Sequence, residues 1–222
     1  MGIGAASPAV GDPVRMTETT RLSIFPLPGA LLFPQLHLPL HIFEPRYRAM
    51  VSDAMARDRR IAMIQPRPDS DDVDAPDLFD VGCVGKIAEV EALDDGRYNL
   101  ILQGVSLFRL RRELVVTTPF RQVEAELLPL ATDETLSLGA RAALELESRR
   151  FADAHGYAVD WKSVGRLDDM SLVNGIAQIA PFDVAAKQAL LEAHDLAARA
   201  ELLVQLMQFF GRHDGEDRVT LQ

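Results

Sequence analysis

The spacing of apolar positions divides the chain into two halves with different periods. The first half opens on an almost uncharged run. Between Leu22 and Phe43 there is no Asp, Glu, Lys or Arg, and the polar side chains are Ser23, Gln35, His37 and His41. Such a run has the hydropathy of a membrane span, but Pro26, Pro28, Pro34 and Pro39, with Gly29, would break a helix repeatedly. Each proline removes an amide donor and clashes with the preceding turn. The run therefore predicts two short buried strands, at about 22–27 and 36–42, joined by an apolar loop through Leu31, Leu32, Phe33 and Pro34. From Glu44 the period becomes helical: Tyr47, Met50, Val51, Ala54 and Met55 share a face, and Pro45 suits the first turn.

Residues 60–65 read as a further strand, stopped by Pro66 and Pro68. A hairpin follows at 86–93 and 97–103, turning at Asp94-Asp95-Gly96-Arg97, because Asp-Gly accepts the positive φ of a tight turn. Gly104 marks a bulge, the chain continues as strand to 112, and 120–128 is the last strand, with Val123, Ala125 and Leu127 inward. Six or so strands under one helix predict a small, strongly bent barrel.

In the second half the period is helical throughout. Thr132 or Asp133 is placed to cap a helix whose apolar side carries Leu136, Ala140, Ala143, Leu144 and Phe151 and which ends at Gly156. A second helix spans 168–180, with Leu172, Val173, Ile176, Ala177 and Ala180 on one face and Pro181 as its stop. A third, long helix is predicted over 183–210, with Leu191, Ala198, Leu202, Leu206 and Phe209 in a stripe and Gly211 as terminator. The fold class is thus α+β: a barrel subdomain at 21–130, a helical subdomain at 131–213, and tails at 1–20 and 214–222.

Composition narrows the function classes. A net charge of −10 opposes an extended nucleic-acid footprint, which needs a basic face to replace counterions, and opposes anionic lipid surfaces equally. One cysteine, Cys83, can form neither an internal disulfide nor a thiolate cluster, and its setting among Val81, Gly82, Val84 and Gly85 reads as buried packing. Residues 1–20 lack the charged start and apolar run of a signal peptide, so the chain reads as cytoplasmic. The six aspartates between 69 and 80 read as a solvated loop, since a calcium loop would need a central glycine and a terminal glutamate.

Three segments of the opening run carry a resemblance: Phe25-Pro-Leu-Pro28, Leu32-Phe-Pro34 and, above all, Leu38-Pro-Leu-His-Ile-Phe-Glu-Pro-Arg-Tyr47. They resemble the Lon protease N-terminal (substrate-binding) domain family. Gly104 to Arg109, after Asp-Gly-Arg97, and Pro181 to Glu192, with Arg199 and Leu202, follow the same order, so the likeness spans about 22–210. It implies a PUA-like barrel followed by helices, and a free-standing, non-catalytic module or adaptor that binds unfolded or specific proteins through apolar grooves between the subdomains. RNA binding through a PUA-like barrel is the alternative; Arg109, Arg111 and Arg112, with Arg59 and Arg60, read either as a local basic spot or as ordinary surface charge.

No catalytic constellation is present: there is no phosphate-binding Gly-x-x-x-x-Gly-Lys-Ser/Thr loop and no Gly-x-Ser-x-Gly elbow. His37 and His41 share a strand face, with Glu44 beyond, but a proline-bearing strand is a poor metal half-site, so no metal or cofactor is expected. Polypeptide contact is assigned to Leu31, Leu32, Phe33 and Pro34 if their loop is exposed; otherwise the loop plugs one end of the barrel. His41, Phe43, Glu44, Arg46 and Tyr47 are read as structural, with Glu44 and Arg46 pinning the helix to the barrel. A homodimer is expected if loop 31–34 or the last helix exposes apolar area.

Overall fold

In a computed structural model, which describes residues 19–68, 70, 75–129 and 134–216, alternation of apolar and polar positions builds six strands and one helix before the chain turns helical. The elements are β1 (Thr19–Pro26), β2 (His37–Ile42), α1 (Pro45–Met55), β3 (Arg60–Ile64), β4 (Val81–Ala92), β5 (Tyr98–Glu113) and β6 (Gln122–Leu127). They are followed by α2 (Leu138–His155), α3 (Trp161–Val164), α4 (Asp169–Ile179), α5 (Val184–Glu192) and α6 (Leu196–Glu216). Thr132, Asp133 and four of the aspartates between 69 and 80 lie outside the described residues.

The sheet order is β2-β5-β4-β3-β1-β6, and β6 also pairs with β5, which closes a barrel. The sixteen-residue β5 makes this closure possible. Its first half pairs with β2, from Ile42↔Tyr98 to His37↔Gln103, and its second half pairs with β6. Between the two halves the register against β4 slips, Val84 facing Ser106 but Gly85 facing Gly104. The bend sits at Gly104, as its glycine predicts. β1 begins at Thr19, ahead of the expected boundary, because Thr19 and Thr20 pair with Glu126 and Ala125 of β6. Leu127 is exposed rather than inward, and Met55 lies off the buried face of α1, which is Tyr47, Met50, Val51 and Ala54.

The expected third helix is two. α5 is capped by Asp183, ends at Glu192, and Ala193 leaves the helix at ψ 130°. α6 then starts afresh: Asp195 accepts from the Ala198 amide at 2.7 Å and Glu134 from the Leu196 amide at 2.6 Å. Two carboxylates thus satisfy donors that a new helix leaves open. Gly211 does not terminate α6, which continues to Glu216. α2 starts at Leu138, capped by Ser137, whose hydroxyl accepts from the Ala140 amide at 3.1 Å, and ends at Gly156 with φ 70°.

Loop 31–34 joins the two halves. Leu31 and Phe33 lie in the helical core with Leu144, Phe151, Leu172, Leu203 and Met207, whereas Leu32 lies in the barrel core with Phe25, Tyr47, Cys83 and Leu102. Phe33 is fully buried, its ring 5.2 Å from the Arg199 guanidinium. Burial lowers the pKa of Arg199, which donates to the Leu190 carbonyl at 2.8 Å and to Asn174 Oδ1 at 2.8 Å. Two buried glutamines complete the junction: Gln65 donates to Gln188 Oε1 at 3.0 Å, and Gln188 to the Val81 carbonyl at 3.0 Å. The expected alternative of an exposed apolar loop is therefore overturned, because two different cores bury its side chains.

Two expectations follow. At Gly104 an added methyl would lie 2.0 Å from the Phe33 carbonyl oxygen, so Gly104→Ala lowers stability by about 3 kcal/mol in urea titrations. Gly211→Ala instead raises it by about 0.5–1 kcal/mol, because its methyl meets only the Phe151 ring, at 3.9 Å, inside a helix. The second concerns Cys83, whose thiol is pushed by burial from its ordinary 9.0 to about 12. A raised folded-state pKa stabilises fully below the unfolded value and is lost as pH rises, so stability falls from about pH 9 toward about pH 12. Thiol alkylation at pH 8 should scale with the open population, so that destabilising urea accelerates it, and Cys83→Ala should flatten the alkaline limb.

Candidate functional site

The opening run leaves one strand edge unpaired. β2 bonds to β5 on one side only. Its other edge is marked by the His37 carbonyl, which accepts from Gln178 Nε2 at 2.8 Å, whereas the preceding Leu36 carbonyl accepts from the Gly104 amide of β5 at 2.8 Å. Strand alternation then puts Pro39 and His41 on the His37 side. Pro39 has no amide to offer, so it is tolerated there and not on the paired side.

A cleft of about 530 Å³ runs along this edge. Pro39, Leu40, His41, Ile42 and Phe43 all line it. With Phe25 to Pro28 on the opposite wall, these residues set the cleft alongside the side of β2 that does not pair with β5. The floor is the buried Phe25, Ile42, Tyr47 and Phe120, with the half-buried Leu27 and Leu40. Six prolines, Pro26, Pro28, Pro39, Pro66, Pro76 and Pro119, stiffen the walls. At the lip Phe43 is 60% exposed.

Electrostatics at the lip are arginine-centred. Arg46 donates through Nε to Glu44 at 2.9 Å and lies 4.7 Å from the centre of the Tyr47 ring. Glu44 and Arg46 thus pair with each other at the mouth of the cleft and do not pin α1 to the barrel as expected; the Tyr47 ring does, packed 4.3 Å from Phe25. Burial raises the pKa of Tyr47. Arg121 donates to Glu113 at 2.7 and 2.6 Å and to the Pro76 carbonyl at 2.8 Å, and the Glu113 hydrogen bond raises its pKa. Arg67 reaches Asp80 at 3.7 Å.

The expected site residues therefore part company. His41, Phe43, Glu44, Arg46 and Tyr47 converge on the cleft, while Leu31, Leu32, Phe33 and Pro34 are buried away from it. The cleft belongs to the barrel; between barrel and helices, where grooves are expected, loop 31–34 is buried in the two cores. His41 sits in a cross-strand chain, its Nδ1 2.7 Å from Asn99 Oδ1 and its Nε2 3.2 Å from Arg97. Among the described residues no three His, Cys, Asp or Glu side chains are grouped to hold a metal. The basic spot is neutralised in part: Arg111 bridges Glu126, Arg112 bridges Glu124, and Arg60 reaches Asp58 at 3.8 Å. Sequence reasoning missed Pro28, Pro119, Phe120 and Arg121, whose Pro-Phe-Arg run at 119–121 was the available signal.

A second groove, of about 470 Å³, lies in the helical half among Tyr157, Trp161, Leu167, Ile176 and Ile179. Ile179 is 79% exposed there. No described helix is long and apolar enough to cross a membrane.

Comparison with known proteins agrees with this architecture. The family model of the ATP-dependent protease La (LON) substrate-binding domain matches residues 21–208. Lon protease 2 of Sorangium cellulosum (strain So ce56) is 29% identical over 212 residues, covering 89% of this chain and 26% of that protein. Lon protease 2 of Myxococcus xanthus is 30% identical over 197 residues, covering 84% of this chain and 23% of that protein. The chain thus spans about a quarter of the length of the curated relatives it matches. Among solved structures, a Lon N-terminal domain protein from Xanthomonas campestris superposes with a TM-score of 0.65 at 20% identity, over 84% of this chain and 98% of that one. The N-terminal domain of the Mycobacterium avium complex Lon protease gives 0.63 at 16% identity, over 85% of this chain and 98% of that one. Both likenesses are of fold. With the family model covering the barrel and nearly all of the helical half, the chain belongs to the LON substrate-binding domain family.

Proposed function

We propose that this domain is a polypeptide-binding module and that the cleft beside β2 is its contact site. The observation that carries the reading is the convergence of His41, Phe43, Glu44, Arg46 and Tyr47 on an open cleft with an apolar floor. Its volume of about 530 Å³ lies in the range of ligand sites, about 300–1,000 Å³. Its proline-rich walls are preformed, so an occupant meets a surface that needs little ordering. Phe43 is the natural anchor. It is mostly exposed, with its ring centroid 6.2 Å from that of His41, an expensive place for a phenylalanine until an occupant covers it.

The reading is one of binding rather than catalysis. Both ring nitrogens of His41 face Asn99 and Arg97, so neither addresses a hydroxyl or thiol as a base would. The family description, a substrate-binding domain, supports the same reading.

Fluorescence anisotropy of a labelled, permanently unfolded polypeptide, titrated at low and high salt, tests it. Saturable binding that persists at high salt is expected, because the contact is apolar. Phe43→Ala should weaken it about fivefold or more, a loss of about 1 kcal/mol, without moving the thermal unfolding midpoint. Failure to bind at either salt sinks the reading; binding lost at high salt would point to the charge-driven contact that nucleic acids make.

A further inference from the structure

The unpaired edge of β2 specifies how an occupant would lie. We infer that the cleft takes an extended polypeptide segment as an added strand on β2, with apolar side chains on the floor and an acidic side chain on Arg46. This inference rests on the polypeptide-binding reading and deepens it.

Three observations carry it. The first is the edge. With His37 taken by Gln178, the carbonyls of Pro39 and His41 and the amide of His41 remain on the open side, acceptors and a donor spaced two residues apart as a strand partner needs. An exposed edge of this kind is ordinarily blunted, and the facing wall is blunted: Pro26 and Pro28 have no amides. β2 carries a single proline, on the side where it costs one donor and leaves its carbonyl.

The second is the floor. An added strand sends alternate side chains to one face, and the floor offers successive apolar surfaces, Leu40 and Ile42 near β2 and Phe25 and Phe120 beyond. The other set of side chains points to solvent, so the site demands apolar residues at every second position only.

The third is charge. Arg46, Arg67 and Arg121 line the cleft against one carboxylate, Glu44, on a chain of net charge −10. Arg121 spends its donors on Glu113 and the Pro76 carbonyl, and Arg67 donates to the Leu78 carbonyl. Arg46 uses only Nε, on Glu44, and its terminal nitrogens make no hydrogen bond among the described residues. A guanidinium has five N–H donors and takes a second carboxylate in fork geometry. The preferred segment is therefore extended, apolar at alternate positions and acidic at the end that reaches Arg46, not a basic or uniformly apolar one.

The test uses the full chain and labelled ten-residue peptides with alternating apolar and polar positions and one terminal glutamate. Amide-to-ester replacement at alternate positions deletes N–H donors with little change of shape. Esters on the set facing β2 should weaken binding about tenfold or more, while the other set leaves it unchanged. Glutamate→Gln in the peptide should weaken binding severalfold, and R46Q should abolish that difference while Arg67→Gln preserves it. Because the ester and glutamine changes are in the peptide, they hold even if a protein variant folds poorly. Equal sensitivity of both ester sets, or none, overturns strand addition while leaving polypeptide binding intact. A glutamate preference that survives R46Q overturns the assignment to Arg46. If neither the peptides nor the unfolded polypeptide bind, the polypeptide reading falls with it.

Discussion

Loop 31–34 threads the barrel to the helices, and the rest of the structure depends on that seam. Leu32 faces one core and its neighbours Leu31 and Phe33 face the other, so three adjacent side chains tie the strands and the helices to one arrangement. The seam is held from both sides. Gly104 admits the Phe33 carbonyl against β5, and Arg199 covers the Phe33 ring from α6. Residues so placed cannot also serve as a contact surface. The same geometry frees the other end of the run, where Phe43 and the β2 edge face outward.

The cleft and the seam are products of one uncharged segment with prolines at irregular spacing. Prolines prevent the segment from becoming a helix, and Pro34, followed by Gln35 at φ 69°, turns it between its two strands. On β2, Pro39 has no donor for either neighbour, so it tolerates only the open side of the strand. The cleft therefore exists because the segment is too apolar to be exposed as a whole and too rich in proline to be buried as a whole.

Local periodicity made much of this legible in the sequence. The alternation of Tyr98, Leu100 and Leu102, the helical spacing from Tyr47 to Ala54 and the Gly156 cap all appear where the pattern places them. The break between α5 and α6 was not legible as a break, because no glycine or proline stands at 193–195; the aspartate cap at Asp195 was the one signal, and it competes with the helix propensity of the surrounding alanines. Nor was the burial of Leu31 and Phe33, since it depends on Leu203, Met207 and Arg199, far along the chain. The site residues at 41–47 were legible as a motif. Their convergence on a cleft was not, because Phe120 and Arg121 arrive from a distant hairpin.

The seam also has a consequence for synthesis. Phe33 leaves the ribosome well before Leu203 and Met207, the residues of α6 that share its core. β6 ends at Leu127, so at roughly 5–20 residues per second the complete barrel precedes Leu203 by roughly four to fifteen seconds, long compared with collapse of the barrel alone. For that time Leu31 and Phe33 stand on a nascent barrel without α6 to complete their cover. During synthesis this domain therefore exposes Leu31 and Phe33 before it can bury them itself.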